Sequence, residues 1–400
     1  MKFLLRNWNG EAKCLLQAFF VIFLVFWLEL PGFAAGSLWD LHKAVKASKS
    51  DEVLILKDGK VVYRYSSRKT RDPIEVMSCT KSIVALAIGL AIDEGALANV
   101  DVPVSEFYPE WKKDARRNIT IRHLLNHTSG LKANKTTEDI YQQPDFIKYA
   151  LKSELEHHPG EHFFYNNRAT NLLSGIVEKT TGRKLNDYLN ERLFRKLDIR
   201  DSEWRWESDK AGNPHGMSGL SMRPQAFAKI GKLILQNGVW NEQKIISRGW
   251  LEAMLSPGQE LEPGCGYLWW LKSNPTDDLL FYDESLLQQY EQNGVSKTQL
   301  ERLKTMAGKP LKRPEFKEKL LNVFGSLDAA NVFLKEVSGK GLPDTRIKRG
   351  PIDSYVAEGY LGQYLVIIPS RGVVGVRLIH YTSAGDKTNF PEFLEMVARL

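Results

Sequence analysis

A serine and a lysine stand three residues apart in Ser78-Cys79-Thr80-Lys81, at the mouth of an apolar run, Ser82-Ile83-Val84-Ala85-Leu86-Ala87-Ile88-Gly89-Leu90-Ala91-Ile92. On a helix, positions i and i+3 share a face, so the amine of Lys81 can reach the hydroxyl of Ser78. A helix apolar on all sides lies inside the protein. Burial is what lowers a lysine pKa toward neutrality, and a neutral amine can take the proton of a serine hydroxyl and make it a nucleophile. The helix N-terminus adds N–H groups where an oxyanion would form. A second Ser-x-x-Lys, Ser66 to Lys69, lies in a polar stretch ending at Pro73 and reads as a loop without a buried helix behind it.

Tyr165-Asn166-Asn167 follows Pro159-Gly160-Glu161-His162-Phe163-Phe164. A phenol and an amide two residues apart can project from one turn into a cleft, where the phenol relays protons and the amide holds an amine or a carbonyl. Tyr188-Leu189-Asn190 has the same pattern but sits on an amphipathic stretch, where tyrosine is a core anchor. His123 and His127 stand at i, i+4, but Leu124 occupies the place of the metalloprotease glutamate, so a structural role is expected and no metal.

The elements that must position these groups can be read from the patterning. Glu52 to Tyr65 forms two strands about Asp58-Gly59. The buried helix runs from Ser78 to Gly95. Residues 119–131 form a short helix started by Thr120, residues 168–197 are largely helical, and Pro224 to Gln236 is an amphipathic helix. Cys265 to Leu271 reads as an aromatic strand. Residues 354–381 read as two strands joined at Pro369-Ser370-Arg371-Gly372, and a helix ends the chain. The expected class is α/β (α+β), with an antiparallel sheet built from both termini and flanked by helices. Residues 277–350 are charge-rich, with helical runs at Lys297–Met306 and Arg313–Phe324, and are expected to form an inserted all-helical subdomain or lid.

The chain has 400 residues, 43% of them hydrophobic, and a formal net charge of +7, scattered rather than clustered, so nucleic acid is not an expected partner. Lys2, Arg6 and Lys13 precede the apolar run Leu15–Leu28, and Pro31-Gly32-Phe33-Ala34-Ala35 follows. That layout is a signal peptide over residues 1–34, and the run is shorter than the ~20 residues of a membrane span. The expectation is an exported protein, periplasmic or extracellular, of which residues 35–400 are the body. Two of the three cysteines, Cys79 and Cys265, lie in that body, and Cys79 on the buried helix reads as reduced and packed.

Ser78-Cys79-Thr80-Lys81, Ile121-Arg122-His123-Leu124-Leu125-Asn126-His127-Thr128-Ser129-Gly130-Leu131, and Pro159-Gly160-Glu161 leading to Tyr165-Asn166-Asn167 together resemble the class C β-lactamase-like serine hydrolases of the penicillin-recognising fold. Gly219-Leu220-Ser221-Met222-Arg223-Pro224 and Trp269-Trp270 are similar to its 6-aminohexanoate-dimer hydrolase and esterase branch. The resemblance spans roughly residues 50–275 and 351–400 and implies a β-lactamase/transpeptidase-like fold. It implies Ser78 as the acylated nucleophile, Lys81 as base, Tyr165 as proton-transfer partner, and Asn167 orienting Lys81 or the substrate. The family's third motif should fall at Ala357-Glu358-Gly359. Here the cation that would hold a substrate carboxylate is replaced by Ala357, with Glu358 beside it, unless Lys348 or Arg349 supplies the charge. Gly359 would let the backbone approach the acyl group, and the N–H of Tyr360, with that of Ser78, would complete an oxyanion hole.

The expected activity is acyl transfer to water from an ester or amide, without cofactor or metal, on a small-molecule or short-peptide substrate, cell-wall fragments being one source. A peptidoglycan D-amino-acid peptidase or β-lactamase is the second expectation. An inactive binding protein on the same scaffold is the third.

Overall fold

The computed structural model describes residues 38–67, 72–134, 136–274, 277–381 and 390–400. The expected signal peptide and the pair Arg68-Lys69 lie outside them. The chain divides into two compact units, one of residues 35–272 and 352–400 and the other of Ser273–Pro351.

The larger unit is built on a six-stranded sheet: β1 (Glu52–Lys57), β2 (Lys60–Ser66), β3 (Trp270–Ser273), β4 (Ile352–Gly359), β5 (Gln363–Ile368) and β6 (Val373–Leu378), in the spatial order β2-β1-β6-β5-β4-β3. The N-terminal hairpin therefore pairs with the last strand of the chain, Leu54 opposite Val376 and Ile55 opposite Gly375. Side chains alternate between faces along these strands. Leu54, Leu365, Ile367, Val374 and Val376 join the main core with helix α2 (Cys79–Asp93), α3 (Ile121–Leu125), α4 (Asn167–Thr181) and α5 (Pro224–Leu235). Val53, Ile55, Val366, Ile368 and Val373 face the other way, onto the terminal helices Leu38–Ala47 and Phe393–Ala398. A sheet buried on both faces needs apolar residues at every position, and Leu365-Val366-Ile367-Ile368 supplies them.

Two strand expectations change. The segment 354–381 holds three strands rather than two, because Leu361 and Gly362 adopt left-handed φ of 69° and 79° and close a tight hairpin between β4 and β5. That hairpin is tied down by buried Arg377, whose guanidinium donates to the carbonyls of Leu361 and Gly362 at 3.0 and 2.6 Å. The aromatic strand starts at Trp270 instead of Cys265. Leu268 turns the chain with φ of 58°, and the N–H of Leu271 returns to the carbonyl of Gly264 at 2.8 Å.

Helix α2 is buried from Cys79 to Ala91. Its closest packing is at Gly89, where an added Cβ would stand 2.2 Å from the Trp250 indole. Gly89→Ala is therefore expected to lower stability by about 1–3 kcal/mol through overpacking, read as an earlier midpoint in chemical denaturation.

The smaller unit is not all-helical. Its helices Glu284–Gln292, Lys297–Lys304, Arg313–Phe324 and Leu327–Gly339 pack with a three-stranded sheet of Leu279–Phe281, Leu311–Lys312 and Arg346–Lys348. Those strands are two or three residues long, too short for a period-2 pattern to show. The helices are capped where polar residues interrupt the charge: Asp283 accepts from the Leu286 N–H at 2.7 Å and Ser326 from the Ala329 N–H at 3.1 Å. Tyr290, Phe316, Phe324, Phe333 and their neighbours give this unit its own core.

Candidate active site

Ser78 stands at the entrance to α2, immediately after Met77, whose φ of 51° is a left-handed conformation that costs a branchless L-residue about 1 kcal/mol. The strained turn is clamped: the Val76 N–H donates to the Leu220 carbonyl at 2.8 Å, and the Thr80 hydroxyl donates to the Met77 carbonyl at 2.7 Å. One helical turn on, the Lys81 amine lies 3.0 Å from the Ser78 hydroxyl and 2.8 Å from the carbonyl of Met217. Lys81 is buried, and burial, with a small opposing contribution from Cys79, lowers its pKa to about 7.

Tyr165 is carried by the loop that starts at Pro159-Gly160 and ends at the N-cap of α4. Asn166 is that cap: its side chain accepts from the Ala169 N–H at 2.9 Å and donates to the Leu131 carbonyl at 2.9 Å. The Phe164 N–H donates to the His127 carbonyl at 2.8 Å, so the loop is sewn to residues 127–131 on both sides of Tyr165. The phenol is a hydrogen-bond partner of Ser78, while the residue as a whole is 37% exposed. The ring centroid is 4.9 Å from the Lys81 amine. Burial raises the phenol pKa, so in the range where Lys81 loses its proton Tyr165 keeps its own.

Ser78, Lys81, Ser82, His127, Tyr165, Cys265, Leu268, Trp270 and Glu358 line one narrow cleft. Of the residues expected to act together, Ser78, Lys81, Tyr165 and Glu358 thus share one space. Asn167 does not serve Lys81 as expected. It is half-buried at the start of α4, and among the described residues its side chain makes no hydrogen bond to Lys81; the carbonyl of Met217 occupies that partner position.

Gly359 was expected to let the backbone approach an acyl group; what its missing side chain admits here is the turn before α2, where a Cβ would meet the Val76 carbonyl at 2.4 Å and the Cys79 sulfur at 3.2 Å. Only a glycine lets strand β4 lie this near the entrance of α2. The Tyr360 ring is exposed, so its side chain has no part in the cleft. Among the described residues neither the Ser78 nor the Tyr360 N–H has a hydrogen-bond partner.

Glu358 has a partner that sequence reading missed. Lys272, on the adjacent strand β3, reaches it at 3.1 Å and lies 5.3 Å over the Trp270 ring. A cation thus stands at the rim after all, already paired with a carboxylate. Lys348 and Arg349 belong to the smaller unit.

His127 was expected to be structural, and it lines the cleft. Burial and the neighbouring Lys81 lower its pKa to about 3, so the ring is neutral. Its Nδ1 accepts the Asn166 N–H at 3.2 Å, which puts the proton on Nε2, and its ring sits 4.5 Å from that of Tyr165. His123 turns away to complete a capping box with Thr120. Tyr188 is the core anchor expected, buried with its hydroxyl on Glu94 at 3.0 Å. Cys79 and Cys265 are buried free thiols; burial raises the pKa of both, that of Cys265 to about 12. Adjacency to Thr128-Ser129-Gly130 was the signal that could have marked His127; the Met217 carbonyl had none.

Such a set can take a proton from a serine, hold a developing oxyanion and return a proton to a leaving group. The known proteins this chain is similar to agree in class. The sequence profile described as Beta-lactamase matches residues 42–391. A 6-aminohexanoate-dimer hydrolase of Paenarthrobacter ureafaciens is 25% identical over 244 residues, 56% of this chain and 62% of the relative. Protein flp of Staphylococcus aureus (strain MW2) is 29% identical over 177 residues, 40% of this chain and 35% of the relative. The chain thus spans less than two thirds of the length of either. A class C beta-lactamase solved in complex with cefoxitin shares the fold at 16% identity, with a TM-score of 0.55 over 90% of this chain and 96% of that one. With the profile matching most of its length, this chain belongs to the Beta-lactamase family, and it has the β-lactamase/transpeptidase-like fold.

Proposed function

We propose that this protein is an exported serine hydrolase that cleaves an ester or amide bond through an acyl-enzyme on Ser78. The observation that carries the reading is the buried Lys81 amine, 3.0 Å from the Ser78 hydroxyl with a pKa lowered to about 7. Neutral Lys81 takes the hydroxyl proton as Ser78 attacks the substrate carbonyl. The N–H groups of Ser78 and Tyr360 receive the oxyanion. The Tyr165 phenol, protonated and in contact with Ser78, passes a proton to the departing alcohol or amine and takes its replacement from Lys81. Water then repeats the attack on the acyl-enzyme, with Lys81 again the base.

The rim argues for an acyl group without a carboxylate. Lys272 and Glu358 largely cancel each other's charge, so a carboxylate entering the cleft finds that ammonium already paired. The Paenarthrobacter relative is by name a hydrolase of a 6-aminohexanoate dimer, which is in keeping with this chemistry. Glu358→Gln removes the carboxylate and frees the ammonium. It is expected to raise kcat/KM for a carboxylate-bearing 4-nitrophenyl ester about tenfold relative to 4-nitrophenyl acetate, a modest effect because both groups are partly solvated. An unchanged ratio in steady-state assays would remove the pair from substrate selection.

The test of the function is intact-mass analysis of the mature protein after exposure to a fluorophosphonate and to labelled penicillin. The expected result is a single fluorophosphonate adduct on Ser78 and slow or no penicillin adduct. Lasting penicillin acylation would favour the peptidase or β-lactamase reading, and no adduct with either would leave the binding-protein reading. The mass of the exported protein also tests the signal peptide, since it should begin near Ala35.

A further inference from the structure

We infer that Asn171 is a positioning residue for the base: through the backbone of Gly216 and Met217 it holds the carbonyl that aims the Lys81 amine at Ser78. The inference rests on Lys81 being the base proposed above. Asn171 is fully buried on the second turn of α4, the helix whose start carries Tyr165. Its side-chain oxygen accepts two successive backbone N–H groups, those of Gly216 at 2.9 Å and Met217 at 3.3 Å. Its amide nitrogen donates to the Asn167 carbonyl at 3.3 Å, which fixes the rotamer and puts the oxygen toward residues 216–217. The next atom in the series is the Met217 carbonyl, 2.8 Å from Lys81.

Close packing makes this link stiff. A Cβ on Gly216 would stand 2.7 Å from the Thr170 carbonyl and 3.0 Å from the Asn171 Cα, so the segment is pressed against α4. Met217 itself is buried with Ile140 and Phe146. A neutral amine has two N–H groups and one lone pair. With one N–H committed to Met217, rotation about the last side-chain bond is restricted and the lone pair can be held on the serine hydroxyl. Without that anchor the amine keeps its burial but loses its direction.

The other charged or titratable groups facing Lys81 among the described residues are Cys79 on its own helix, His127 and Tyr165 on the loops beside it, Cys265 before β3, and Glu358 on β4. None of them hydrogen-bonds the Met217 carbonyl, so orientation by residue 171 can be tested apart from them.

The experiment measures the rate of fluorophosphonate adduct formation on Ser78 against pH in wild type, Asn171→Leu and Asn171→Asp. Leucine has the same branched skeleton of four side-chain heavy atoms but leaves two buried N–H groups without an acceptor. It is expected to lower the limiting rate about 10- to 100-fold with the reagent's half-saturation within about threefold, because misplacing a reacting group by an ångström costs on that scale. Aspartate keeps the acceptor for both N–H groups, and its second oxygen, buried against the Asn167 carbonyl, carries a proton and donates to it as the amide did. It is expected to recover the limiting rate to within about threefold of wild type.

A folded leucine variant that reacts at the wild-type rate would overturn the inference. So would a folded aspartate variant that reacts tenfold or more slowly than wild type, and this arm decides the matter if the leucine variant does not fold. Labelling of wild-type Ser78 tests the hydrolase reading separately, so the two failures are distinguishable.

Discussion

Ser78→Ala is expected to abolish covalent labelling by a fluorophosphonate and to lower kcat toward any ester substrate by at least about 10⁴-fold, leaving the residual rate that oriented binding and oxyanion contacts supply. The substitution removes one oxygen from a turn held by other bonds, the Val76–Leu220 and Thr80–Met77 hydrogen bonds, so the fold should persist. Circular dichroism and the unfolding midpoint should match the wild type. The discriminating result is activity: a Ser78→Ala protein that still turns over an ester would move the chemistry to another residue of the cleft. Ser82 also lines it, but its hydroxyl is spent on the Leu268 carbonyl at 2.6 Å.

Lys81→Met should have the second largest effect, and it should act in opposite directions on activity and stability. Activity requires the neutral amine, so in the wild type kcat/KM should be low at pH 5.5, rise through about pH 7 and level off above about pH 8. A flat profile across that range would count against Lys81 as base. Methionine removes the base and should cost about 10³-fold or more in kcat at every pH.

For stability the sign follows from proton binding. The folded lysine has a pKa of about 7 against 10.5 for the ordinary group. Between those values the unfolded chain holds the proton and the folded chain does not, so the wild type gains stability as pH rises from 7 toward 10.5. Below pH 7 both states carry the proton, and the cost of a charge in a dry site is at its full value, of order 5 kcal/mol. Lys81→Met should therefore be more stable than wild type at pH 6, with the difference shrinking as pH rises to 10. Equal denaturation midpoints for the two proteins at pH 6 would show that the amine is better solvated than its burial implies. A functional site that is less stable than an apolar replacement is the expected trade for a base that works near neutrality.

Legibility from sequence differed sharply between parts of the molecule. Helix α2 was readable because thirteen consecutive buried residues leave no polar face to misread. The N-terminal hairpin was readable because Asp58 and Gly59, both at positive φ, mark the turn between two alternating strands. Thr120 announced its helix as a cap. What could not be read was carried by backbone atoms or by pairs distant in sequence. The Met217 carbonyl that holds Lys81 is an atom every residue has. The Lys272–Glu358 pair spans a whole inserted unit, and neither residue carries a local sign of the other. The small strands of residues 273–351 are set by pairing between segments, not by their own two or three residues.

By itself the order of residues determined that a hydroxyl and an amine share one turn of a buried helix, that a tyrosine follows a Pro-Gly loop, and that the two ends of the chain build one sheet. These follow from helical and strand periodicity and from burial, which act over a few residues at a time. The tertiary structure alone decided which carbonyl orients the amine, which cation faces Glu358, and that Asn167 leaves its expected place to a backbone atom. Those contacts depend on ångström-scale distances between segments tens to hundreds of residues apart, and hydrophobic patterning, which says only what is buried, does not specify them.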